Sequence, residues 1–257
     1  MALRSEIQLT DENERLRAEV QRLTAELAQR DQEATDNERQ LQIYAEDLRE
    51  TFKQERARSQ ELTRSYTATV RALSNAVEAR DAYTGKHAER VAAYGIEIAR
   101  SLGLARPDAP EMEFGFLLHD IGKVAIPDAI LYKPSALTKE ERDLMARHPS
   151  IGAEIVAGIE FLEEAAKVVR CHHERWDGTG YPDGLRGEEI PIAARVFSVA
   201  DVFDALTTDR PYRPALTLSE SRRMIVHASG TQFDPNVVEA FNAIGDETFM
   251  RIAEEIR

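Results

Sequence analysis

The sequence predicts an all-α protein, a compact helical bundle preceded by one long helix. Three observations carry this reading. The chain has no glycine or proline before Gly85 and no proline before Pro107. In that break-free part, apolar residues recur at alternating spacings of three and four. No later segment shows the strict alternation and β-branched enrichment that mark a strand.

The first element spans residues 1–70, with 11 Lys/Arg and 15 Asp/Glu. Glycine and proline are the strongest helix interrupters, so their absence together with high charge reads as continuous helix. Leu9, Leu16, Val20, Leu23, Leu27, Ala34, Leu41, Tyr44 and Leu48 form a heptad seam. Arg30 and Asn37 weaken the seam, and Phe52 arrives one residue late, as in a stutter. A new register follows at Leu62, Tyr66, Thr69, Leu73 and Ala76. Some 75 residues of helix would make a rod about 110 Å long. A parallel homodimeric coiled coil is expected. A solitary helix would leave its apolar stripe in water, and antiparallel or mixed pairing stays open.

Residues 71–257 are expected to form the bundle and the functional domain. Amphipathic stretches run over 86–104, 110–122, 138–158, 160–173, 191–207, 218–229 and 235–256, with Pro and Gly in the gaps. With 42% hydrophobic and 31% charged residues the composition is that of a folded domain. The net charge of −13 argues against nucleic acid as partner. A small anionic ligand remains compatible, because metal ions and a few Arg or Lys reverse the field locally. The single Cys171 permits no internal disulfide and suits a reducing compartment. No apolar run approaches the roughly 18 residues of a spanning helix, so no membrane and a cytoplasmic location are expected.

The histidines are distributed unevenly. His87, His119, His148, His172 and His173 fall in one stretch, and only His227 lies apart. Asp120 and Lys123 follow His119, and Asp201 and Asp204 stand one turn apart further on. A lone His-Asp pair is most often a satisfied core hydrogen bond. Convergence changes that balance, since buried imidazoles and carboxylates each need a partner and metal ions satisfy all of them at once. Seven such ligands exceed one ion, which suggests a multi-metal hydrolytic centre. Gly122 leaves room for another backbone to approach.

The motifs His119-Asp120-Ile121-Gly122-Lys123 and His172-His173-Glu174-Arg175-Trp176-Asp177-Gly178-Thr179-Gly180-Tyr181-Pro182 resemble those of the HD-GYP family. The likeness continues through Asp201-Val202-Phe203-Asp204-Ala205-Leu206, Arg210-Pro211-Tyr212-Arg213 and Phe233-Asp234-Pro235, covering about residues 74–242. The resemblance implies an HD-type helical bundle that hydrolyses cyclic di-GMP with two divalent metal ions, iron or manganese. It assigns His87, His119, Asp120 and Asp201 to one ion and His148, His172 and His173 to a second, with Asp120 as bridge. Lys123 would stand near the scissile phosphate, Tyr181 would face the ligand, and Arg210 and Arg213 would contact phosphates. Asp204 would pair with Lys123 and so belong to the substrate contacts. Some relatives hold a third metal with a glutamate where this chain has Tyr83, a poor ligand at neutral pH. Two metals are therefore expected, with Asp81 the only nearby carboxylate that argues otherwise. Cys171 reads as a core thiol.

The implied chemistry is in-line attack on a phosphodiester by a water whose pKa the ions lower. The products would be pGpG and, after a second cut, GMP. The implied partners are cyclic di-GMP, a second copy of the chain through the coiled coil, and a GGDEF-type or sensor protein. A catalytically weak receptor or scaffold, and an HD phosphohydrolase for another cyclic dinucleotide, stay open as alternatives.

Overall fold

The computed structural model describes residues 2–80, 86–209 and 213–256, with side chains described from residue 11 onward. The chain divides into two compact units, Met1–Arg64 and Ser65–Arg257. Helix α1 covers Ala2–Glu78 without interruption. In the first unit the seam residues from Leu16 onward stand in solvent, with Leu16 60% and Leu41 67% exposed.

In the second unit the last turns of α1 turn a different stripe inward. Tyr66 stacks flat on Phe161 at 4.2 Å, Val70 and Ser74 are buried, and Val77 is half-buried. These positions are spaced by three and four, the repeat of one helix face. The second register read from the sequence is thereby divided. Tyr66 serves the bundle, while Leu73 stays 44% exposed.

The bundle follows as α2 (His87–Ser101), α3 (Pro110–Leu117), α4 (Asp128–Leu131), α5 (Lys139–Met145), α6 (His148–Ala157), α7 (Glu163–Cys171), α8 (Ile192–Thr207), α9 (Leu218–His227), α10 (Pro235–Asn242) and α11 (Asp246–Glu255). Helix α2 packs on α8, and α3 and α6 pack on α7. Their shared core holds Phe116, Phe197, Phe203, Phe241 and Phe249, all buried. Each such ring contributes about 1.5–3 kcal/mol by leaving water. Phe203 meets Phe241 at 5.1 Å and Phe249 at 4.6 Å, which fixes α8 against the C-terminal helices. Among the described residues β structure is confined to isolated bridge positions, Ser229 with Phe233 and Arg213. None of the described helices is long and apolar enough to cross a membrane.

Three stretches expected to be single helices are broken. The 110–122 stretch ends its α-helix at Leu117 and resumes as a 3-10 turn, Ile121–Ala125. The 138–158 stretch divides between Met145 and His148 because Pro149 cannot donate to the carbonyl four residues back and its ring clashes there. The 235–256 stretch divides at Gly245, the extended residue that starts α11. Two starts are marked by capping boxes, Thr138 with Glu141 and Thr217 with Glu220. Helix α4, which the periodicity does not predict, is a single turn.

Candidate metal centre

The breaks in the bundle place the ligating side chains. His119 and Asp120 sit in the turn after α3 rather than on a helix, His148 opens α6, and His172 and His173 follow the end of α7. Each helix end leaves carbonyls without intrahelical partners. The histidines take them: His119 Nδ1 lies 2.9 Å from the Phe116 carbonyl, His148 Nδ1 2.8 Å from that of Met145, and His172 Nδ1 2.7 Å from that of Val169. For His148 this is the carbonyl that the ring of Pro149 leaves unbonded. A carbonyl only accepts, so each of these Nδ1 atoms carries the proton. Each ring thereby turns its Nε2 inward, toward Asp120.

The donors form two groups, His87 with His119 and Asp201, and His148 with His172 and His173. Within each group the ligand atoms lie within 4.8 Å of one another. Asp120 stands between them. Its Oδ2 is 3.0 Å from His119 Nε2, and its Oδ1 is 3.2 Å from His148 Nε2 and 3.9 Å from His172 Nε2. One carboxylate thus faces each group with one oxygen. The 3-10 geometry eclipses residues three apart, which sets Lys123 Nζ 2.8 Å from the same Asp120 Oδ2.

Gly122 makes the approach of the two halves feasible. A Cβ at this position would overlap the carbonyl oxygen of His148 and lie 2.6 Å from the amide of Gly152. The close approach expected from the sequence is made by the first turns of α6.

Electrostatics follow from burial and neighbours. Burial and the adjacent histidines hold His172 well below its usual pKa, and burial with His148 lowers His173 to about 4. Both are neutral at pH 7, the form that binds metal. Burial opposes ionisation of Asp120, yet His119 and Lys123 outweigh it and keep the carboxyl ionised. Burial also opposes a charge on His87, but Asp201 and Asp204 override it and raise the pKa to about 10. Cys171 is pushed up to about 11 by burial, so it remains a thiol in the core.

A test of fit to metal ions is available in the second group. His148 Nε2 and His172 Nε2 face each other at 3.1 Å. His172 has its Nδ1 proton on the Val169 carbonyl and resists a second, so its Nε2 keeps a lone pair aimed at this space. A cation there would be met by that lone pair and by Asp120 Oδ1, 3.9 Å from it. The donor set of imidazoles and carboxylates suits iron, manganese or zinc.

One expected pairing is corrected. Asp204 does not reach Lys123. Its side chain is 1% exposed, and its oxygens lie 2.7 Å from His87 Nδ1 and 2.6 Å from Arg90 Nε. One turn before it on α8, Asp201 Oδ1 meets His87 Nε2 at 3.2 Å. Asp204 therefore orients His87 from behind, the arrangement common to metal-binding histidines. Arg213 Nη2 donates to the carbonyls of Ala205 (2.7 Å) and Leu206 (3.4 Å) at the end of α8, the second of which also accepts from the Leu216 amide at 2.9 Å. Arg210, Tyr83 and Asp81 lie outside the described residues.

The sequence reading missed Arg90 and the end of α1. Arg90 follows His87 by three residues, matching the Asp201 to Asp204 spacing, and that pairing was the available signal. Ser74 Oγ donates to the Leu117 carbonyl at 2.7 Å, and the Ala88 amide donates to Glu78 Oε1 at 2.7 Å. The end of α1 thus grips the backbone beside both His119 and His87. Ser74, Val77 and Glu78 line, with His87, His119, Asp120, Asp201 and Lys123, a cavity of about 240 Å³.

Asp204→Asn is expected to weaken metal retention by about 10- to 100-fold. The variant also loses some thermal stability, since the buried Arg90 loses the carboxylate to which its Nε and Nη2 both donate. Metal counting after dialysis checks this, and unchanged retention would remove Asp204 from the account.

A family model described as an HD domain matches residues 71–237. The chain belongs to the HD domain family. This HD domain chain is 44% identical over 174 residues to the cyclic di-GMP phosphodiesterase response regulator RpfG of Xanthomonas campestris pv. campestris, covering 67% of this chain and 46% of that protein. It is 42% identical over 177 residues to the 3'3'-cGAMP-specific phosphodiesterase 2 of Vibrio cholerae, covering 68% of this chain and 34% of that protein. The chain thus spans less than half the length of these relatives. A crystal structure of a cyclic GMP-AMP specific phosphodiesterase of V. cholerae shares the fold with a TM-score of 0.52 at 22% identity, over 72% of this HD domain chain and 51% of that one.

Proposed function

We propose that this protein is a metal-dependent phosphodiesterase of the HD-GYP type that opens cyclic di-GMP to pGpG and, with a second cut, yields GMP. The observation that carries the reading is Asp120, whose two oxygens face two separate ligand groups. His87, His119, Asp120 and Asp201 would hold one ion, and Asp120, His148, His172 and His173 the other. Iron or manganese suits these ligands. Two such ions, when bound, lower the pKa of a water and neutralise charge on the phosphoryl oxygens.

The remaining work belongs to the chain. Asp120, kept ionised by His119 and Lys123, joins the two positions. Lys123 Nζ, at the edge of the cavity, offers a positive charge to the phosphoryl group as negative charge develops there. Asp204 and Arg90 hold His87 in one orientation, so the ligand pays no reorganisation when the site fills. Tyr181 stacks on His173 at 4.8 Å and so stands directly beside the second ligand group. Burial pushes its phenol up to about 12, so it acts as a neutral surface.

A second substrate has support, since three relatives from V. cholerae, at 35–42% identity, are named 3'3'-cGAMP-specific phosphodiesterases. Parallel assays of cyclic di-GMP and 3'3'-cGAMP, with products separated by chromatography, decide between them. The reading expects pGpG from the first at the higher kcat/KM. Preference for the hybrid dinucleotide would change the substrate and keep the reaction. Binding of either with no product under iron or manganese would leave a receptor.

The exposed seam of the first unit is read as a parallel homodimeric coiled coil. Burying residues such as Leu16, Leu27 and Leu48, each more than half exposed, supplies the driving force. Removing residues 1–64 is expected to give a monomer in light scattering. A truncated protein that is still a dimer would place the interface elsewhere.

A further inference from the structure

The segment after His172-His173 carries Tyr181 back over those histidines, and one buried carboxylate holds it there. Glu174 is 4% exposed. Its Oε1 accepts from the amides of Asp183 (2.7 Å) and Gly184 (3.1 Å), and its Oε2 from that of Leu185 (3.1 Å). Three successive N–H groups converge on it, as in the concave nests that bind anions. Among the described residues no cation pairs with Glu174, so these amides alone offset its desolvation. Gly180 lies against the same residue, and a Cβ there would come 2.6 Å from Glu174 Cα. The Tyr181 amide meets the His173 carbonyl at 3.3 Å, and Arg170 forks onto Asp183 at 2.7 Å through both nitrogens.

This loop forms one wall of a second cleft, of about 370 Å³, adjoining the metal centre. Tyr181 and Gly180 line one side, and Ser198, Val202 and Gln232 the other. The cleft has the size of a small-ligand site and opens directly on Asp201 and His173. A phosphodiester held at the metal centre places its flanking nucleoside in this space.

We propose that Glu174 is a positioning residue that fixes the Tyr181 loop as the wall of a nucleoside subsite, where the flanking base and ribose pack. This role rests on the phosphodiesterase reading. Glu174→Gln preserves volume but turns an N–H₂ toward amides that need an acceptor, so the loop loosens while the histidines stay.

The full-length Glu174→Gln protein is expected to retain the metal content of wild type and its kcat within about twofold. Its KM for cyclic di-GMP rises about 10- to 100-fold. Trp176, the only tryptophan, lies in the same loop. Acrylamide should quench its fluorescence more strongly in the variant, metal-loaded or not. Tyr181→Ala should raise KM similarly, and the double variant should add nothing further. Unchanged KM and quenching, additive effects in the double variant, or loss of metal with loss of kcat would overturn the role. Binding is read separately, by titrating cyclic di-GMP while following Trp176. A wild type that binds without cleaving overturns the phosphodiesterase reading, and the weaker binding of Glu174→Gln still decides this one.

Discussion

Asp120→Ala is expected to empty both metal positions together and to abolish hydrolysis. Its side chain faces both ligand groups, since Oδ2 meets His119 and Oδ1 meets His148. Removing it takes a ligand from each position and leaves Lys123 and His119 without the carboxylate that they share. The loss of activity should exceed the 10²- to 10³-fold, as an order of magnitude, that follows removal of one charge-stabilising group. His148→Ala touches one group only and should cost about one equivalent of metal. Metal counting on the two variants, with circular dichroism to check the fold, separates these outcomes. Equal losses in both variants would contradict the bridging position of Asp120.

Gly122→Ala should be nearly as damaging, although residue 122 supplies no ligand. The new methyl overlaps the His148 carbonyl and crowds the Gly152 amide, and both obstacles are backbone. Overpacking of this type costs about 1–3 kcal/mol. The relief is a shift of α6 away from the 3-10 turn, which carries His148 from Asp120. A displacement of about 1 Å is enough to cost about 10²-fold in rate. Thermal melting and metal counting check this, with a lower melting temperature and a loss centred on the His148 group expected. Gly158→Ala meets nothing within 4 Å and serves as the control.

Much of the site was legible because it depends on rare residues placed together. Five histidines and two spaced aspartates in an otherwise apolar bundle need partners whatever the fold. Their orientation was less legible, because it depends on which helix ends leave carbonyls free. Pro149 did signal that end for His148, and the 3.6-residue periodicity of 138–158 concealed it. Asp204 was assigned to Lys123 on proximity in sequence motifs, whereas the packing of α2 on α8 gives it to His87 and Arg90.

The all-helical fold was readable from the absence of strand alternation and from Pro and Gly between amphipathic runs. The end of α1 was not. Tyr66 fits the heptad register and the bundle-facing stripe equally well, and only Phe161 decides between them. Ser74 and Glu78, which grip the backbone beside His119 and His87, are polar residues with no periodic signal.

The most direct test is an anaerobic titration of metal-free protein with iron or manganese, following bound metal and pGpG release together. Two equivalents per chain are expected, with turnover of cyclic di-GMP appearing as the second binds. Full turnover with one equivalent, or two bound equivalents and no cleavage of any cyclic dinucleotide, would contradict the two-metal phosphodiesterase.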